Sequence, residues 1–228
     1  MPDGSGSRVT ICYKDQIRNF YAPLIGVFQI ENLLCAMGLA LAGGLSFNTL
    51  IGSIPRIVNV RGRMDLVGQS QSKAKIYIDY AHTPDALYNA LSALRMHTSG
   101  KLYVLFGCGG ERDVGKRALM GKVAGQLADH VFVTDDNPRG EDPALIRSQI
   151  ISSCPKSNEF EDRAGAIEFA IHQLNLGDTL LIAGKGHETD QIVSGRRIPF
   201  SDRQVVREFV GPGDSNDEVC GDSIMGCG

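Results

Sequence analysis

From Lys75 onward the chain alternates between short apolar runs and segments of helical period, and this alternation constrains its fold more than any other feature. The runs Lys75–Tyr80, Lys101–Phe106, His130–Thr134 and Thr179–Ala183 are four to six residues long, rich in β-branched or aromatic side chains, and closed by Gly, Asp or His, which predicts strands. Between them, Thr83 is placed to cap a helix with Pro84 at its first position and Leu87, Ala90, Leu91 and Leu94 on one face. Lys116–Leu127 puts Met120, Val123, Ala124 and Leu127 on one stripe. Asp142-Pro143 starts a helix expected to bury Leu145, Ile146, Ile150 and Ile151. Ala164–Gln173 is a fourth helix, and Ser201-Asp202 caps a last one through Val205, Val206 and Phe209. Alternation of this kind implies parallel strands joined by helical crossovers, so the predicted class is α/β with a doubly wound, mostly parallel sheet. A further strand falls between Ile151 and Arg163, with Asn158–Glu161 as the weak candidate.

The first third reads differently. Val9–Tyr21 forms two short strands around the turn-like Lys14-Asp15-Gln16, and a helix from about Gln29 to Ala42 is apolar nearly all round and is therefore expected to be buried. Sixty such residues make a poor core alone. The expected division is residues 8–67 as the end of a domain that begins elsewhere, residues 68–210 as a complete domain, and residues 211–228 as an acidic tail without periodicity.

Charge and cysteine placement narrow the function. The net charge is −3, but the last 18 residues carry −4 with no Lys or Arg, so the other 210 sum to +1 and offer no basic face for nucleic acid. No run of 18 apolar residues exists, and the N-terminus lacks a basic and an apolar signal region, so neither a membrane span nor secretion is expected. The six cysteines, at 12, 35, 108, 154, 220 and 227, form no C-x-x-C pair. They are expected to be free thiols in a reducing cytoplasm, with no metal site.

Ligands of open α/β sheets bind beyond the carboxyl ends of the strands. There the sequence places Asp79–Thr83, Gly107–Arg112, Asp135–Arg139 and Gly184–Glu188, all rich in glycine or polar groups. Gly110–Lys116 fits G-x-x-x-x-G-K, yet Arg117 stands where a phosphate loop needs Ser or Thr, and Glu111 and Asp113 would face the phosphates. The segment reads either as a plain tight strand-to-helix turn or as a turn that aims Arg112 at an anion. In Asp136-Asn137-Pro138-Arg139, a rigid turn presents an amide and an Arg fork suited to a carboxylate, although Asp-Asn-Pro is also a common turn. Gly184-Lys185-Gly186 offers backbone N–H groups to an anion. Asp79 and His82 flank a helix start, where capping and function are both open.

Taken in order, the motifs LIG-x-F-x-x-x-N (Leu24–Asn32), GRM (Gly62–Met64), DYAHTPDAL (Asp79–Leu87), FGCGGERD-x-GKR (Phe106–Arg117), TDDNPR (Thr134–Arg139), AGKGHE (Ala183–Glu188) and SDR (Ser201–Arg203) resemble the Mur ligases. Among them the resemblance is to the members that add meso-diaminopimelate to UDP-MurNAc-L-Ala-D-Glu in peptidoglycan synthesis. It covers about residues 8–210. It implies that residues 8–67 end a central ATPase domain and that residues 68–210 are the amino-acid-binding domain. It also implies that Arg112, Asp136, Asn137, Pro138, Arg139, Gly184 and Glu188 bind diaminopimelate. Arg139 replaces the residue of the lysine-adding relatives, and its charge would pair a distal carboxylate that lysine lacks. Arg63, Asp79 and His82 match residues that close over ATP.

In the family, ATP and magnesium phosphorylate the γ-carboxylate of D-Glu before the diaminopimelate amine attacks it. The family's loop G-T-[NG]-G-K-T, its carbamylated lysine and its UDP-sugar domain are not found in these 228 residues, so no catalytic or metal-binding residue is expected here. The resemblance therefore implies a cytoplasmic, C-terminal portion of an ATP-dependent ligase, inactive in isolation. The alternatives are a non-catalytic or split-enzyme module working with a complementary N-terminal chain, and a phosphotransferase using Gly110–Lys116.

Overall fold

A computed structural model gives the fold and describes residues 6–210. The predicted acidic tail, with Cys220 and Cys227, lies outside them. The hairpin β1 (Ser7–Tyr13) and β2 (Gln16–Ala22) comes first, followed by α1 (Val27–Ala42), α2 (Phe47–Ser53) and a short 3-10 turn. A six-stranded sheet then uses β3 (Asp65–Gln69), β4 (Lys75–Asp79), β5 (Leu102–Phe106), β6 (His130–Val133), β7 (Asn158–Glu159) and β8 (Thr179–Ala183) in the order β3-β4-β8-β5-β6-β7. Only β3 is antiparallel, pairing with β4 through Asp65↔Ile78, and it crosses the boundary expected at residue 68. The other pairs are parallel.

The helices are α3 (Pro84–Arg95), α4 (Gly115–Leu127), α5 (Pro143–Ile151), α6 (Arg163–His172) and α7 (Asp202–Phe209). Their starts are written in the sequence: Thr83, Asp142 and Asp162 each accept a backbone N–H of the first turn. Ser201 precedes α7 without such a bond, so the expected cap is not made by its side chain.

Successive residues of a strand point to opposite faces, which splits the sheet's side chains into two cores. Val104, Phe106 and Leu181 meet Leu87, Leu91, Met120 and Ile146 from α3, α4 and α5. Tyr103, Leu105, Leu180 and Ile182 meet Ala166, Ile167, Ala170 and Val206 from α6 and α7. Leu145 departs from expectation and is 51% exposed, because α5 turns Ile146 and Ile150 inward instead.

The first region has a third cluster of Ala22, Leu24, Met37, Phe47 and Ile54. The expected burial of α1 is corrected here: Met37 is its buried residue, whereas Val27 and Leu39 are 66% and 71% exposed. So small a cluster covers one stripe of the helix and leaves the others outward.

The chain leaves β4, builds β5, β6 and β7 outward, and returns through α6 to insert β8 between β4 and β5. That reversal gathers the loops after β4, β5, β6 and β8 at one edge.

Candidate functional site

The loop after β6 is tied to a hairpin that the strand pattern did not reveal, β9 (Asp190–Val193) with β10 (Arg196–Pro199). Gln191 Nε2 donates to the Asp136 carbonyl at 2.8 Å, and the Ile192 N–H donates to Asn137 Oδ1 at 2.9 Å. The Arg139 N–H donates to the Ile192 carbonyl at 2.9 Å, and the Ser194 N–H donates to the Arg139 carbonyl at 2.6 Å. These bonds hold Arg139 at φ 53°, a left-handed conformation uncommon for Arg. The Arg139 side chain is half-buried, and its Nη1 donates to the carbonyls of Gly110 and Asn137 at 2.8 and 3.3 Å. Nη2 and Nε make no hydrogen bond among the described residues, which leaves an edge of the fork for an anion. Gly110 must be glycine, since a Cβ there would collide with the Pro138 carbonyl. Pro138 itself is buried.

Next to this loop, Asn137 Nδ2 donates to Glu188 Oε2 at 2.9 Å, and the Lys185 ammonium donates to Asn137 Oδ1 and Glu188 Oε2 at 3.2 and 3.1 Å. Lys185 Nζ also donates to the Asp190 carbonyl at 2.6 Å, and its side chain has no exposed surface. Between the two glycines the lysine side chain turns inward, to a carboxylate and two carbonyl-type oxygens. Gly184 adopts φ +110°, and a Cβ there would sit 2.7 Å from Asp136 Oδ2. Asp136 is buried, and its carboxylate carries no hydrogen bond among the described residues. Burial pushes its pKa above the ordinary 3.8, opposed by the charges of Arg163 and Lys185. Beneath it, Arg163 Nε and Nη2 clamp the Asp202 carboxylate at 2.7 and 2.9 Å, both side chains fully buried. Arg112 is exposed at the rim, with one long bond from Nη1 to the Glu111 carbonyl at 3.4 Å.

Arg63, Asp79 and His82 meet at the end of β4. Asp79 Oδ2 accepts the Met64 N–H at 2.7 Å, and Oδ1 accepts the Ala81 N–H at 2.8 Å. Both carboxylate oxygens thus organise backbone, and burial raises the Asp79 pKa against those two bonds. The exposed Arg63 guanidinium lies 4.6 Å from the Tyr80 ring centroid, and His82 packs edge-on to the same ring at 4.6 Å. His187 approaches Tyr80 from the β8 loop at 5.7 Å. The sequence reading missed Tyr80, His187 and Lys185 as members of the site, although all three stand inside the quoted motifs.

The G-x-x-x-x-G-K segment does not fit a phosphate group. Arg117 is buried, bonded through Nη1 to Gln149 at 2.8 Å and through Nη2 to Glu141 at 2.9 Å. Lys116 Nζ donates to the His82 carbonyl at 2.8 Å, and Asp113 Oδ1 takes the Gly115 N–H. Glu141 accepts the Glu111 N–H, which with Arg117 holds its pKa below the usual value. Among the described residues no group of three or more His, Cys, Asp or Glu could hold a metal ion.

A mostly parallel α/β domain with charged loops gathered at its topological switch point belongs to the class that binds small polar ligands there. Residues 62–186 match the model for "Mur ligase, glutamate ligase domain", and the chain belongs to that family. It is 48% identical over 200 residues to the UDP-N-acetylmuramoyl-L-alanyl-D-glutamate–2,6-diaminopimelate ligase of Chelativorans sp. (strain BNC1), which covers 88% of this chain and 41% of that protein. With the ligase of the same name from Agrobacterium fabrum it shares 50% identity over 185 residues, 81% of this chain and 38% of that one. A solved structure of a ligase of this name superposes with a TM-score of 0.65 at 38% identity, covering 90% of this chain and 42% of that one. The chain thus spans about two fifths of the length of the curated relatives it matches.

Proposed function

We propose that this chain is the amino-acid-presenting portion of a cytoplasmic ligase that joins meso-diaminopimelate to the D-Glu of UDP-MurNAc-L-Ala-D-Glu. The observation that carries the reading is that Asn137, bonded to Glu188, and the Asp136 carboxylate without a hydrogen bond stand on the same loop as Arg139, whose guanidinium is tethered to the Asn137 carbonyl. A zwitterionic amino acid needs that pairing of anionic and cationic groups. Arg139 and the free Nδ2 hydrogen of Asn137 receive the distal carboxylate, Arg112 another carboxylate from the rim, and Glu188 and Asp136 the ammonium. Pro138 and Gly184 fix the backbone on which these groups stand. Holding the nucleophilic amine in place is the orientation part of catalysis.

ATP supplies the activation in such a reaction, by phosphorylating the acceptor carboxylate. The residues described here do not fit its phosphates or a magnesium ion, given the buried Arg117 and the acidic groups around Gly115. Arg63, Tyr80 and His82 are assigned to closing over the nucleotide from this side, with Asp79 holding the turn that carries Arg63. Residues 8–67 are assigned to the end of the ATPase domain and residues 68–210 to the amino-acid domain. The chain alone is expected to bind meso-diaminopimelate weakly and to form no amide until a complementary N-terminal chain is supplied.

An NMR-detected titration with meso-diaminopimelate and with L-lysine tests this. The unsubstituted chain should prefer the former, and Arg139→Ala should weaken meso-diaminopimelate binding roughly 10- to 100-fold, the worth of a charged hydrogen bond, while leaving lysine little changed. An unchanged preference in Arg139→Ala would overturn the specificity assignment.

A further inference from the structure

Lys185 stands in the middle of the amino-acid site, yet it faces no solvent and leaves no donor for a ligand. Its three ammonium hydrogens match three acceptors: Asn137 Oδ1, Glu188 Oε2 and the Asp190 carbonyl. Three chain segments are joined by this one group, the loop after β6, the loop after β8 and the start of β9. The consequences for its neighbours are specific. With Oδ1 of Asn137 saturated by Lys185 and by the Ile192 N–H, the amide is fixed with Nδ2 toward Glu188, and the second Nδ2 hydrogen remains free. With Oε2 of Glu188 taken by Lys185 and Asn137, Oε1 is the oxygen left to accept, on a side chain one third exposed.

Charge points the same way. Arg163 and Asp202 form a bidentate buried pair and cancel. What remains around the pocket floor is two carboxylates, Asp136 and Glu188, against the single ammonium of Lys185. We infer that Lys185 is the positioning residue of the amino-acid site: it sets the orientation of Asn137 and Glu188 and leaves the floor one net negative charge, matched to a ligand presenting one ammonium there. The inference rests on the proposed function for the identity of the ligand. Without Lys185 the two carboxylates lack their buried counter-charge, and one partner of a buried pair is costly to leave alone.

Two roles separate in a double-mutant cycle on the full chain, read by NMR titration with meso-diaminopimelate. Lys185→Met keeps the side-chain length without the charge, and Glu188→Gln removes the carboxylate it holds. If Lys185 acts through Glu188, each single change weakens binding about 10-fold and the double variant stays within about 3-fold of Glu188→Gln. A purely structural lysine predicts independent effects that multiply, and a double variant more than 3-fold weaker than Glu188→Gln overturns the inference. Should Lys185→Met fail to fold, the comparison of Glu188→Gln with the double variant still decides, because the double variant leaves one carboxylate, Asp136, without the ammonium where Lys185→Met leaves two. Failure of the unsubstituted chain to bind meso-diaminopimelate overturns the ligand assignment together with this inference. Binding by the unsubstituted chain combined with multiplying losses overturns the role of Lys185 alone.

Discussion

Residues 7–57 and residues 65–210 meet the same requirement, burial of apolar surface, with unequal means. The first region gathers five buried residues around one stripe of α1, and Leu34 and Leu39 of that helix remain outward. The second sandwiches its sheet between helices and fills both faces, with 22 buried residues on one side and 16 on the other, the former including Ile25 from the first region. Because burial supplies most of the driving force, the sheet is able to carry costly polar groups that the first region could not. The buried Arg163–Asp202 pair, the buried Lys185 and the unpartnered Asp136 all lie at the sheet's carboxyl edge, where the ligand groups are.

The largest effect expected from this contrast is at Asp202. Asp202→Ala leaves Arg163 buried without its counter-ion, which costs about 3–5 kcal/mol. Urea unfolding should show that loss. The pair also links α6, α7 and, through the bond of Arg163 Nη2 to the Ala183 carbonyl at 3.0 Å, the end of β8. A cost below about 1 kcal/mol would mean that the sheet edge tolerates a lone charge, and the contrast between the regions would lose its main support.

Most of the sheet is legible in the sequence because its strands are buried on both faces and read as continuous apolar runs between caps. Phe106, Val133 and Ala183 end three of these runs, and the loops beyond them carry the polar motifs. What was not legible lacked that signal. The strands of β9 and β10, Asp-Gln-Ile-Val and Arg-Arg-Ile-Pro, are short and half polar, and their only mark is the Ser194-Gly195 turn, both residues at positive φ. β3 is a five-residue edge strand containing Gly68 and reads as linker. Gly184-Lys185-Gly186 reads only as a flexible backbone turn, and the inward course of the lysine depends on Glu188, the Asp190 carbonyl and Asn137, the last 48 positions earlier in the chain. Pattern shows where ligand loops fall, but the partners of a side chain depend on long-range contacts.

A second effect, of opposite sign, is expected at Asp136. Its pKa is raised by burial, so the native state holds this proton more tightly than the unfolded chain. The associated stability is fully present below pH 3.8 and is lost as pH rises through the raised value. At neutral pH the buried charge is therefore a burden, and Asp136→Asn should stabilise the fold by up to about 2 kcal/mol while weakening amino-acid binding. Denaturant midpoints at pH 7 and pH 3 check the sign, since the gain should vanish in acid where both side chains are neutral. An equal gain at both pH values would remove the linkage and leave a packing effect.

The smallest effect tests whether the two regions open separately. Ser46 caps α2, its Oγ accepting the Thr49 N–H at 3.1 Å and lying 2.7 Å from Thr49 Oγ1. Ser46→Ala removes that acceptor from an exposed helix start and should cost about 1 kcal/mol. A loss of that size corresponds to roughly 5-fold faster exchange wherever opening is local. If the five-residue cluster opens by itself, α2 amides exchange faster in the variant while those of β5 and β8 are unchanged. If β5 and β8 accelerate equally, the contacts of Ile25 and Phe28 with the α3 face bind the two regions into one cooperative unit, despite the difference in their cores.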